Sequence, residues 1–271
     1  MMFAYLEILR PSVFLLGMLG VLVGALLAGV SSIETIALGI FITFLVTGGG
    51  NVINDYFDYE IDKVNRPKRP IPSGRISRSS ALIYSIALFV AALGLSVMLN
   101  AYALILVAFN ILLSILYSWK LKAKPLLGNL CPSWLAASTF VFGSLLVSHF
   151  DLAVLSLFLM AFSGNTAREI VKAVEDLKGD KKAGYKTLPV VIGVHFSNFV
   201  ALSFLIMGIL LSFIPYGLGI FSINYLYAIF IADLVFSAAG FMMMTNPAKS
   251  QRMMKIGMFL TIAAFLVGIY L

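Results

Sequence analysis

Apolar runs about as long as a bilayer is thick recur along this chain, and no other feature restricts its fold as strongly. Bounded by charge, Gly, Pro or Asn, nine of them fall at roughly 11–30, 33–57, 79–99, 102–119, 126–147, 151–172, 194–214, 221–244 and 253–271. With 61% hydrophobic residues the chain carries too much apolar surface for a water-soluble core, so the expected class is an all-α polytopic membrane protein. No short apolar stretch with a small-residue cleavage site precedes the first run, which is therefore expected to be a retained helix and not a signal peptide.

The connections alternate between very short ones and longer ones rich in charge. All nineteen Lys and Arg belong to the longer set: Arg10, then Lys63, Arg66, Lys68, Arg69, Arg75 and Arg78, then Lys120, Lys122 and Lys124. The remainder are Arg168, Lys172, Lys178, Lys181, Lys182, Lys186, Lys249, Arg252 and Lys255. In a nine-span arrangement every one lies on the same side of the membrane. The positive-inside rule makes that side cytoplasmic, with the N-terminus inside, the C-terminus outside and the cell membrane as the expected location. The net charge of +7 then reflects orientation and anionic lipid or phosphate ligands, not nucleic acid. One cysteine, Cys131, excludes an internal disulfide, and nothing implies an obligate protein partner.

Carboxylates concentrate at two places. In Asn54-Asp55-x-x-Asp58-x-x-x-Asp62, helical rotation puts Asn51, Asn54, Asp55, Asp58 and Asp62 within an arc of about 100°. Acids on one face raise one another's pKa values unless a cation sits among them, and oxygen ligands of this kind suit Mg²⁺. A second cluster follows the sixth run, where Glu169, Ala173, Asp176 and Asp180 share an arc of about 60° if the helix continues. Both clusters end runs of the same direction. One domain over 1–271 is expected, built from parallel pseudo-repeats at about 11–119 and 126–244 plus a ninth helix at 253–271.

Two acidic sites flanked by Lys and Arg suit an anion with several charges, bridged to the protein by divalent metal; a diphosphate fits. If its other end is a long hydrocarbon, the spans supply the solvent. The expected chemistry is ionisation of an allylic prenyl diphosphate and attack of an acceptor on the carbocation, with metal and cations neutralising the departing diphosphate. Asp55, Asp58, Asp62, Glu169, Asp176 and Asp180 are the candidate metal ligands. Arg66, Lys68 and Arg69, set among prolines that restrict the loop, are candidate phosphate contacts, with Lys120, Arg168, Lys172 and Lys186 beside them and Asn51 and Asn54 as polar support.

Other polar residues carry less. Asp233, alone in the eighth run, either lines a cavity or is hydrogen-bonded within the bundle, and His149 and His195 read as structural. Gly48-Gly49-Gly50 lacks the lysine and strand of a phosphate loop and suits close helix packing. An ion-coupled transporter is the alternative from another class, with the acids as cation sites, but both clusters lie at one membrane face and not at the midplane.

Asn54-Asp55-x-x-Asp58-x-x-x-Asp62 after the second span, Asp176-x-x-x-Asp180 after the sixth and Arg10-Pro11 near the start resemble the UbiA superfamily of intramembrane prenyltransferases over essentially the whole chain. That resemblance implies nine helices in a ring around a central cavity with a cytoplasmic cap, and a catalytic role for Tyr117 in Tyr117-Ser118-Trp119-Lys120. Asn65 to Gly74, Arg168-Glu169-Ile170 and Lys186-Thr187-Leu188-Pro189 are most similar to the archaeal digeranylgeranylglyceryl phosphate synthases. For those the implied reaction is transfer of a geranylgeranyl group from its diphosphate to geranylgeranylglyceryl phosphate. An aromatic quinone precursor is the alternative acceptor. The chain departs from the superfamily pattern at Val13, where Asn is frequent, and at Ala173, where relatives often carry another Asp.

Overall fold

Polar caps set where the apolar runs become helices. Ser32, Ser77, Asn100, Asp151 and Asn246 each accept, through a side-chain oxygen, the backbone N–H three residues on, at 3.0–3.1 Å. Each thereby satisfies a donor that a helix start would leave open. The computed structural model describes residues 2–10 and 14–271. Among them all regular structure is helical: α1 (Met2–Leu9), α2 (Phe14–Leu27), α3 (Ile33–Phe57), α4 (Tyr59–Asn65), α5 (Arg78–Val97), α6 (Ala101–Trp119) and α7 (Leu127–Leu145). There follow α8 (Leu152–Glu175), α9 (Leu177–Lys182), α10 (Leu188–Leu211), α11 (Ile214–Gly217), α12 (Ile223–Met242) and α13 (Pro247–Tyr270). The first expected run begins as the separate helix α2, behind the short α1. Pro11 and Val13 lie outside the described residues.

Among the described residues six helical stretches, α3, α5, α6, α10 with α11, α12 and α13, are long and apolar enough to cross a membrane, or seven if α1 and α2 are counted as one span. α7 and α8 match their expected runs in length but carry Asn129, Asn165, Arg168 and Glu169, which line an internal cavity. That inward polarity lowers their mean hydropathy. Outward positions stay apolar: Ile83, Ile105, Phe196, Leu210 and Phe241 are more than half exposed, as suits a lipid-facing surface.

Small residues bring the helices together. A Cβ on Gly24 of α2 would sit 2.0 Å from the Phe140 carbonyl oxygen of α7, and one on Gly143 of α7 would sit 2.2 Å from that of Val21. Only glycine allows these backbones to approach so closely. The glycine run at 48–50 is likewise helical packing: Gly49 faces the Phe89 ring, and its carbonyl accepts the Ser85 hydroxyl at 3.0 Å.

The charged connections gather around the mouth of the same cavity. Arg75 binds Glu7 at 2.5 and 2.9 Å and the Lys68 carbonyl at 2.6 Å, tying the proline-rich loop to α1. Ile71 and Ile76 bury that loop's underside. Lys186 N–H donates to the Ala123 carbonyl at 3.1 Å, which joins the connection after α9 to the one after α6.

Candidate active site

Neither acidic cluster continues as one helix. α3 stops at Phe57 and α4 begins at Tyr59, with Asp58 at the break; α8 stops at Glu175 and α9 begins at Leu177, with Asp176 at the break. The two breaks match closely: Asp58 has φ −82° and ψ 2°, and Asp176 has φ −82° and ψ −1°. In each, the Asp N–H donates four residues back, to Asn54 or Lys172, and its carbonyl accepts from Asp62 or Asp180. By this correspondence Ala173 stands where the first cluster has Asp55, and Glu169 where it has Asn51. The straight helix assumed for the stripe is interrupted at Asp58, yet Asp55 and Asp62 still meet, both bound by Arg69.

The carboxylates of the first cluster already have cations. Arg10 and Arg69 both bind Asp55 Oδ1, the latter at 3.1 Å, and Arg69 also binds Asp62 Oδ2 at 2.5 Å. Lys122 binds Asp58 Oδ1, while Asn54 donates to Oδ2 at 3.0 Å. Asp55 and Asp62 are 2% and 5% exposed, and charges buried so deeply persist only when paired. Asn51 donates to the Leu9 carbonyl at 2.9 Å, holding α1 and with it Arg10 in place.

The second cluster is more open. Arg168 binds Glu169 at 2.7 Å and Lys172 approaches it at 3.6 Å, whereas the Asp180 carboxylate, among the described residues, accepts the Thr187 hydroxyl alone, at 2.9 Å. Asp176 enters no ion pair among the described residues. Its side chain is accessible from the cavity, yet the surrounding protein excludes enough water to raise its carboxyl above the ordinary range. Burial raises Asp180 in the same way, and pushes the Tyr185 phenol up to about 12, with Asp58 adding to the effect.

One cavity of about 890 Å³ brings the clusters together. Asn51, Asn54, Asp58, Asp62, Arg66, Arg69, Tyr117, Arg168, Glu169, Lys172, Asp176 and Asp180 all line it. Asp55 lies behind its wall, reached through Arg10 and Arg69. Lys68, Lys120 and Lys186 are exposed and do not line it; Lys120 instead covers the Trp119 ring at 3.8 Å. Sequence reasoning did not single out Arg10, Lys122, Lys124, Tyr185 or Lys255 as site residues, although each lines the cavity. Asn110, which accepts from Trp134 at 3.1 Å and donates to Ser138 at 2.9 Å, lines it at membrane depth.

A smaller chamber of about 110 Å³ adjoins it, sharing Leu16, Gly17, Ala136 and Asn165. Its walls are apolar apart from Asn165, Thr261 and the pair Ser212 and Asp233. Asp233 accepts the Ser212 hydroxyl at 2.8 Å, and the Ser212 carbonyl accepts the Tyr225 hydroxyl at 2.7 Å. Asp233 is thus hydrogen-bonded in the bundle, and it lines this smaller chamber and not the main cavity.

As for metal, among the described residues no three acidic, His or Cys side chains stand ready as a group around one point, because Arg10, Arg69 and Lys122 occupy the first cluster. The donor chemistry nevertheless suits a hard divalent cation. Asp58, Asp62, Asp176 and Asp180 face one cavity and offer only oxygen.

The sequence matches the UbiA prenyltransferase family over residues 17–263. A digeranylgeranylglyceryl phosphate synthase from Methanothermobacter thermautotrophicus is 41% identical over 269 residues, spanning 97% of this chain and 95% of that one. A solved structure of digeranylgeranylglyceryl phosphate synthase superposes with a TM-score of 0.86 at 36% identity, covering 99% of this chain and 98% of that one. A UbiA homologue from Archaeoglobus fulgidus, solved with GPP and Mg²⁺ bound, shares the fold with a TM-score of 0.74 at 20% identity, covering 99% of this chain and all of its own.

Proposed function

Because the chain belongs to the UbiA prenyltransferase family, we propose that it transfers a geranylgeranyl group from its diphosphate to the free hydroxyl of geranylgeranylglyceryl phosphate. The observation that carries this reading is the single cavity lined by both acidic breaks, cations and buried apolar wall, a shape that suits a diphosphate joined to a hydrocarbon. The relatives' names favour the lipid acceptor over an aromatic one, and favour an enzyme over a transporter.

In this reading the donor diphosphate lies between Asp58 and Asp62 on one side and Asp176 and Asp180 on the other. Mg²⁺ bound by these carboxylates, with Glu169 beside them, would neutralise charge on the departing diphosphate. Arg66, Arg69, Lys122 and Lys172 contact the remaining oxygens, and Asp55 acts indirectly by positioning Arg10 and Arg69. The C1–oxygen bond breaks with its electron pair leaving on diphosphate. The acceptor hydroxyl oxygen then donates a pair to C1, and its proton is released as the ether forms. Tyr117, which lies among Asp58, Glu169 and Asp180, presents its ring and hydroxyl to the developing cation.

The membrane placement belongs to the same proposal. Six apolar helices, α7, α8 and the pair α1 and α2 together make nine crossings, with every Lys and Arg on the cytoplasmic side and the matching breaks marking two parallel repeats. Purified protein given Mg²⁺, geranylgeranyl diphosphate and geranylgeranylglyceryl phosphate is expected to release diphosphate and form the diether. A folded sample that binds the donor but forms no diether would overturn the reading.

A further inference from the structure

The acceptor of the proposed reaction brings a second anion into a cavity that already holds a diphosphate, and two anions sharing one set of cations repel each other. The cavity's cations divide accordingly. Arg10, Arg69 and Lys122 bind carboxylates of the first cluster, and Arg168 and Lys172 lean on Glu169. Arg66, Lys124 and Lys255 also line the cavity and enter no ion pair among the described residues; Arg66 ends α4 beside the first acidic break and Lys124 lies in the connection after α6, whereas Lys255 comes from α13.

The register of α13 on α8 places it. Gln251 donates to Glu175 at 3.2 Å, while further along α13 Met258 and Thr261 share a chamber with Met160 and Gly164 of α8. The helices are therefore antiparallel, and Lys255, one turn beyond Gln251, stands level with the α8 turn that carries Arg168 and Lys172. Arg168 Nε on that turn is buried and has no hydrogen-bond partner among the described residues. Below Lys255, Phe259 lines the main cavity, and Ile262 and Phe265 continue into the apolar chamber. One helix face thus runs from a free ammonium to a hydrocarbon-lined recess, the pattern a lipid monophosphate requires.

We propose that the cavity-lining face of α13 is the acceptor subsite, where Lys255 holds the lipid's phosphate and the chain passes Phe259 toward the chamber that ends at Ser212 and Asp233. This rests on the lipid-phosphate reading given above. It assigns the donor to the acidic breaks and the acceptor to the face of α13, so the hydroxyl is delivered from α13 towards a C1 held by those breaks.

The test is equilibrium binding of geranylgeranylglyceryl phosphate and of its phosphate-free alcohol to the full-length protein and to Lys255→Gln and Lys255→Arg, with a non-hydrolysable donor diphosphate as control. The unaltered protein should prefer the phosphate lipid by about ten- to a hundredfold, the contribution of a charge-assisted contact. Lys255→Gln should lose that preference, Lys255→Arg should keep most of it, and neither should change donor affinity or melting temperature. If Lys255→Gln keeps the preference, or weakens the donor equally, the subsite is wrong while the acceptor reading stands. If the unaltered protein binds the donor but shows no preference for the phosphate lipid, the acceptor reading fails and the subsite with it.

Discussion

Asp58 and Asp176 sit at helix breaks of almost the same backbone geometry, yet the carboxylates around them meet opposite surroundings. Around the first, Arg10, Arg69 and Lys122 compensate three acids, two of them buried. Around the second, Ala173 replaces the buried acid, and Asp176 and Asp180 stay at the cavity with raised pKa values. Equal local structure thus supports unequal electrostatics. The first cluster is a prepared frame of charge that holds the loop and its arginines; the second is short of positive charge and gains most from an incoming cation.

The largest effect is expected where that shortage is removed. Asp176→Asn should lower kcat/KM by about 10³-fold, comparable to deleting one element of transition-state charge stabilisation, while the metal-free melting temperature holds or rises slightly. A fall in melting temperature without loss of rate would show that the second cluster is also framework.

Arg69→Met should act in the other sense, because it leaves Asp62, 5% exposed, without its guanidinium and Asp55, 2% exposed, with Arg10 alone. Removing one partner of a buried pair costs about 3–5 kcal/mol, so thermal unfolding in detergent should shift strongly. Adding Asp55→Asn and Asp62→Asn to that variant should recover part of the loss. No recovery would mean that Arg69 acts through packing and not through charge.

Ala173→Asp would convert the second cluster toward the first. Without the two arginines that bind Asp55, the new carboxylate should lower stability by about 1–3 kcal/mol in chelator, and added Mg²⁺ should restore it. Equal stability with and without metal would break the correspondence between positions 55 and 173.

The smallest effect is the pH dependence of the open cluster. Asp176 and Asp180 have folded-state pKa values above their unfolded ones, raised by burial, so the folded state binds protons more readily than the unfolded chain. In chelator their contribution is present below the ordinary carboxylate range and is lost as pH rises through the raised values. Stabilisation by Mg²⁺ should run oppositely, since protons compete for the same oxygens. Melting curves of the unaltered protein and Asp176→Asn across that window check the sign. Identical profiles would place the raised groups elsewhere.

Much of this was legible in the chain. Runs read at 33–57, 79–99 and 102–119 became Ile33–Phe57, Arg78–Val97 and Ala101–Trp119, because twenty apolar residues between polar caps have few alternatives to a helix. The spacing of Asp58 to Asp62 and Asp176 to Asp180 placed two acidic pairs, and both face one cavity. The breaks themselves carry neither Gly nor Pro at Asp58 or Asp176, so periodicity ran through them without a sign of the interruption.

What the sequence determined by itself is therefore the set of long apolar helices and the residue types collected at their charged ends, since hydrophobicity and short-range periodicity are local properties. What only the tertiary structure decided is which charge meets which. Arg10 reaches Asp55 across 45 residues and Lys122 reaches Asp58 across 64, while Lys68, Lys120 and Lys186 do not line the cavity. A guanidinium or ammonium is attracted to any carboxylate. Its choice is made by helix packing, which brings one acid within reach and buries the pair where water no longer screens it.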